Sequence, residues 1–179
     1  MLIERQRQSG FSLIELLIGI VVLGVLVTLT LPMFREWMAS TQIRNASDAL
    51  LNGAQLARTE ALRRNKNVEF RLGNNSDWEV WQAAPALQIQ VRGSQEGQTN
   101  AAVVIPTPGG TSKVTFSPLG GVVANLDATA TLQWIDIMPA ASMPSSVRQL
   151  RVLIPASGGV RMCDPDPSST LKSTDTRRC

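Results

Sequence analysis

From Leu16 to Leu31 the chain carries no charged side chain, and Glu15 is the one ionisable residue in the apolar run that starts at Phe11 and stops at Pro32. As an α-helix rising 1.5 Å per residue, residues 11–31 extend about 31 Å, the thickness of a bilayer's hydrocarbon core. The residues before them are polar, with Arg5 and Arg7 outweighing Glu4, which predicts a cytoplasmic N-terminus. A secretory signal peptide is the competing reading, but such peptides end in small residues at the cleavage site, and Thr28 to Met33 offer none.

A carboxylate this deep in apolar surroundings costs on the order of 2.5–3.5 kcal/mol on insertion scales and usually has a partner. No Lys, Arg or His lies between residues 8 and 34. A cut between Gly10 and Phe11 would create an α-amino group about one helical turn from Glu15, in the same chain or, within an assembly, in a neighbouring copy. The plainer alternative is a carboxylate near the membrane surface that snorkels or takes up a proton. The residues alone leave both open.

Composition narrows the function classes. The 179 residues suit one globular domain plus an extension. Histidine is absent and cysteine occurs twice, which removes His-based catalytic constellations and most zinc sites, so no enzyme, catalytic residue, metal or cofactor is expected. The net charge of +3 is too small to suggest a nucleic-acid binder by itself. Asp164 and Asp166 supply too few oxygens for calcium. Trp78, Trp81 and Trp134 could form a base-stacking platform, but their alternating positions favour core packing.

Gly10-Phe11-Ser12-Leu13-Ile14-Glu15-Leu16, followed by the apolar segment and Pro32, resembles the class III signal of type IV pilins and type II secretion pseudopilins. The resemblance implies that a prepilin peptidase cuts after Gly10 and methylates the new N-terminus at Phe11. It also implies that Glu15 pairs with a neighbour's amine during assembly and that the helix bends at Pro32, where a backbone hydrogen bond is lost.

From Met33 to Asn65 no proline occurs, and Ala46, Leu50, Gly53, Ala57 and Ala61 mark one face of an amphipathic helix whose small residues permit close approach to a sheet. Arg44, Asp48, Gln55 and Arg58 are expected to point elsewhere, and Arg63, Arg64 and Lys66 to favour the helix C-terminus electrostatically. The period then changes to two. Strands are expected around 68–72, 78–80, 87–91, 101–105, 113–116, 131–137, 147–154 and 159–163, with loops at 93–100, 106–112, 118–121 and 139–146. The expected fold is α+β: a long N-terminal helix packed on a mostly antiparallel sheet. Its segments are a leader (1–10), a transmembrane and assembly helix (11–31), an amphipathic helix (32–65) and a periplasmic β-rich domain (66–179).

In an oxidising compartment, a disulfide between Cys163 and Cys179 would close the tail and contribute about 3 kcal/mol in the chain-entropy model. The strings Ala57–Asn65, Phe116–Gly120 and Arg161–Cys179 resemble, within the pilin-like group, the GspH/FimT family and its FimT- and FimU-like minor pilins. That resemblance implies a minor type IV pilin that reaches the inner membrane, spans it once, and joins the pilus at or near its tip to prime assembly. Its implied partners are other minor pilins, the major pilin, the inner-membrane assembly machinery, the prepilin peptidase and membrane lipid. An H-class pseudopilin of a type II secretion system is one alternative, and a DNA-binding minor pilin of natural transformation is another.

DNA-binding relatives carry a basic Gly-Arg-any-Arg motif, whereas Gly158-Gly159-Val160-Arg161 retains one of the two arginines. From Arg161 onward four basic residues (Arg161, Lys172, Arg177 and Arg178) face three acidic ones, a balance that favours assembly over DNA.

Overall fold

A computed structural model describes residues 12–74, 76–93, 102–144, 146–167, 169, 171–172 and 174–179; the side chains of Pro32 and Ala102 are outside this description. The chain divides into two compact units, Met1–Arg35 and Glu36–Cys179. One helix, α1 (Leu13–Arg64), contributes to both.

In the first unit, every large apolar side chain from Leu13 to Leu31 is at least 45% exposed. The hydroxyls in this stretch do not break the apolar surface, because Thr28 Oγ1 donates to the Val25 carbonyl at 2.8 Å and Thr30 Oγ1 to the Leu26 and Val27 carbonyls at 3.1 Å. The helix assignment continues through Pro32.

The second unit has a single core. Ala39, Ile43, Ala46, Leu50, Ala54, Ala57 and Ala61 of α1 pack against two antiparallel sheets. The first sheet is built from β1 (Val68–Leu72), β2 (Trp78–Gln82), β3 (Leu87–Arg92), β5 (Lys113–Phe116) and β6 (Val122–Val123), in the order β3-β2-β1-β5-β6. The second runs β4-β7-β8-β9, with β4 (Ala102–Thr107), β7 (Trp134–Pro139), β8 (Leu150–Leu153) and β9 (Arg161–Cys163). Phe70, Val80, Val114 and Phe116 reach the core from one sheet, and Ile135, Ile137 and Val152 from the other. Each such side chain contributes roughly 1.5–3 kcal/mol by leaving water.

The architecture is α+β with antiparallel sheets, and it adds detail that alternation alone does not supply. There are two sheets rather than one. β6 has two residues, too few to show a period. The strand expected from residue 131 begins at Trp134, because Asn125 Nδ2 donates to the Thr129 and Ala130 carbonyls at 3.1 and 3.2 Å and holds the preceding segment as a loop. Asn125 Oδ1 in turn accepts the buried Thr115 hydroxyl at 2.9 Å, so this loop covers part of the outer face of the first sheet. Likewise β8 starts at Leu150 instead of residue 147.

The small-residue face of α1 has a specific job at Gly53. A Cβ there would stand 2.6 Å from the Trp78 ring and 2.9 Å from Phe70, so the tryptophan lies against bare backbone. Arg58 departs from its expected orientation: its Nε donates to the Gly120 carbonyl at 3.0 Å and ties α1 to the β5–β6 turn. The helix ends on a backbone cap. Asn65 takes a left-handed conformation (φ 52°), its N–H reaching the Leu62 carbonyl and that of Lys66 the Ala61 carbonyl, as in a Schellman motif. Arg63 and Arg64 both grip Glu60, at 2.7 and 2.6 Å, and their hydrogen bonds hold its carboxyl below the usual range.

Candidate functional site

Gly10 and Phe11, the expected processing pair, lie outside the described residues. The helix that follows them has an identifiable start. The Ser12 side chain accepts the Glu15 N–H at 3.3 Å, one half of the S-x-x-E capping pattern, so Ser12 is the N-cap and Glu15 the third helical residue. This pattern is visible in the sequence as Ser12 to Glu15. It offers a local role for the serine and leaves the exposed Glu15 carboxylate at the head of the apolar segment. Among the described residues one helix, α1, is long and apolar enough to cross a membrane.

At the other end of the chain, Cys163 and Cys179 are joined, their Cα atoms 5.2 Å apart. Three of the four cations considered for DNA have contacts inside this tail. Arg161 Nη1 donates to the Thr176 carbonyl at 3.0 Å, and Arg178 donates to the carbonyls of Leu171 and Pro167 at 3.4 and 3.2 Å. Arg177 pairs with Asp175 at 2.7 Å, while Lys172 is exposed. A parallel bridge between Asp164 and Arg178 lays the end of the tail beside β9, with the Asp164 N–H on the Arg177 carbonyl and the Cys179 N–H on the Asp164 carbonyl. Asp164 has a turn to stabilise: Oδ1 accepts the Asp166 N–H at 3.0 Å.

The Asp175 carboxyl falls from 3.8 to about 2, first through the Arg177 side-chain hydrogen bond and then through the Arg177 N–H. A carboxyl whose folded pKa is depressed stabilises the native tail above its ordinary pKa, and that contribution is lost as pH falls through about 2. The tail therefore keeps this contact at neutral and mildly acid pH. Carboxyl-carbon NMR should show Asp175 titrating near 2, returning towards 3.8 in Arg177→Gln.

The tryptophans do not form one platform. Trp78 is 4% exposed and faces the core, whereas Trp81, on the opposite face of β2, donates to Glu79 at 2.7 Å beneath the Arg71 guanidinium. Trp134 is on the second sheet, under Arg151.

Residues 46–158 match the family described as Type II transport protein GspH, and residues 5–31 match the prokaryotic N-terminal methylation motif. Two curated relatives, both fimbrial proteins of Pseudomonas aeruginosa, are 24% and 23% identical over 157 residues, each alignment covering 79% of this chain and 99% of the relative. A crystal structure of the type IV minor pilin FimU from Pseudomonas aeruginosa aligns with 14% identity and a TM-score of 0.49, covering 72% of this chain and 92% of that one. With the family matched over most of its length and the methylation motif ahead of it, the chain belongs to the GspH family and is a pilin-type structural subunit, not an enzyme.

Proposed function

We propose that the chain is a minor type IV pilin, inserted in the bacterial inner membrane through residues 11–31 with residues 66–179 in the periplasm. The prepilin peptidase cuts between Gly10 and Phe11 and methylates Phe11. The subunit then enters the pilus at or near the tip, where it primes assembly with other minor pilins and the major pilin on the inner-membrane machinery. Glu15 pairs with the Phe11 amine of a neighbour, and Pro32 is where the helix bends.

One observation carries this reading: an apolar helical surface, fully presented to its surroundings, bears a single carboxylate at its head. Lipid can cover that surface before assembly and other helices can cover it afterwards, and in either setting the carboxylate calls for a cation. The fimbrial relatives favour a pilus as the filament. The family's description favours the second reading, an H-class pseudopilin of a type II secretion system, which would use the same N-terminal chemistry. DNA binding is less favoured, because Arg161, Arg177 and Arg178 are occupied in holding the tail.

The test is a deletion in the native bacterium, complemented with the full chain. Surface pili should disappear and return, and the chain should be found in sheared pili in far smaller amount than the major pilin, with Phe11 as its methylated first residue. Normal piliation with a defect in protein secretion would transfer the chain to the pseudopilin reading.

A further inference from the structure

Between the Ser40–Arg44 turn of α1, the start of β8, and the disulfide-closed tail lies a cleft of about 490 Å³. Its floor is apolar: Ile43 is 1% exposed, and Leu150 and Met162 are half-buried beside it. Its rim carries Arg44 and Arg148, with the Asp164 carboxylate beside Arg148, while Arg177, also at the opening, is neutralised by Asp175 at 2.7 Å. The Asp164 carboxylate neutralises little of the rim. Its Oδ1 serves its own turn and its Oδ2 makes a long ion pair with Arg148 Nη1 at 3.8 Å, which leaves that side chain, 60% exposed, room for a second carboxylate. Arg44 is exposed and makes no ion pair with a described residue.

We infer that this cleft binds an acidic segment of a neighbouring pilin-type subunit, a carboxylate held by Arg44 and Arg148 next to an apolar side chain seated on Leu150 and Met162. The inference rests on the minor-pilin reading for the identity of the neighbour. The chemistry is set by the cleft. Guanidinium groups present planar forks of donors that match carboxylates, and two of them around one opening select for negative charge. The floor makes the second demand, because an anion without an apolar neighbour would leave the half-buried Leu150 and Met162 wetted. A phosphodiester backbone meets the first requirement but not the second. The size of the cleft suits one or two side chains, within the usual range of about 300–1,000 Å³ for ligand pockets.

The experiment uses the full chain in detergent micelles. Two fluorescent, capped hexapeptides are compared, one alternating leucine with aspartate and the other alternating leucine with asparagine. The acidic peptide should bind about tenfold or more tightly than its amide counterpart, and Arg44→Gln with Arg148→Gln should weaken it by about tenfold or more. Arg63→Gln with Arg64→Gln removes the same charge elsewhere on the domain and should leave binding unchanged. Equal binding of the two peptides, or an equal loss in both double variants, overturns the inference. So does a short oligonucleotide that binds more tightly than the acidic peptide and competes with it.

If the cleft variant does not fold, the wild-type preference between the two peptides decides alone. Filament incorporation of the wild type is scored separately. Incorporation without peptide preference removes the cleft proposal and leaves the minor-pilin reading standing; peptide preference without incorporation removes the minor-pilin reading and the neighbour named for the cleft, and leaves only the cleft's choice of an acidic, apolar segment.

Discussion

Glu15→Gln should be cleaved after Gly10 and inserted in the membrane like the wild type, yet reach sheared filaments at about one hundredth of the wild-type level or less, since removing one partner of a buried ion pair leaves the neighbour's amine uncompensated at a cost of about 3–5 kcal/mol. The substitution separates two roles. Ser12 caps the helix by accepting the backbone N–H of residue 15, a contact that every side chain at that position preserves, and glutamine also satisfies the capping pattern. What glutamine removes is the charge. Glu15→Val should behave the same way in assembly, because it too lacks an anion to meet the neighbour's amine. The ratio of filament to membrane signal on an immunoblot gives the answer. A Glu15→Gln chain that assembles normally would confine Glu15 to starting the helix.

Gly158→Ala should produce the largest loss of stability. Gly158 has φ +76°, and a Cβ there would lie 1.8 Å from the Gly120 carbonyl oxygen and 3.4 Å from Arg58 Nε. The left-handed conformation alone costs a β-carbon about 1–2 kcal/mol. Relieving the clash means moving the backbone of the β5–β6 turn, at about 1–3 kcal/mol more for an overpacked site. That same movement breaks the Arg58 hydrogen bond to Gly120. At roughly 2–4 °C per kcal/mol for a chain of this size, the melting temperature should drop by about 5–20 °C.

Gly159→Ala is the control. A Cβ at that position meets nothing nearer than the Ser157 hydroxyl at 3.8 Å, and its melting should stay within a few degrees of wild type. Equal melting of the two variants would show that the turn yields without cost.

The N-terminal methylation motif was legible because it is a linear pattern, so the residues from 5 to 31 that match it can be read without a fold. Strands such as 68–72 and 113–116 were legible for a related reason, since alternation reports which face of a strand is buried. Alternation does not name the neighbouring strand, so the partition into two sheets could not be read. Side chains that replace backbone partners were also hidden. Asn125 delays β7 by binding carbonyls that would otherwise seek a ladder, and Arg58, polar by helix period, finds its acceptor 62 positions away. In the tail, counting charges predicted weak phosphate binding but could not reveal that Arg161 and Arg178 serve the loop's own carbonyls. The Ser12 cap was present in the sequence as S-x-x-E, overshadowed by the stronger signal of the acid.

The meeting of Arg58, Gly120 and Gly158 also has a mechanical side. Arg58 fastens α1 near its C-terminal end to a turn of the first sheet, which is itself wedged against a turn of the second. A pull on that end of the helix is thereby shared by both sheets.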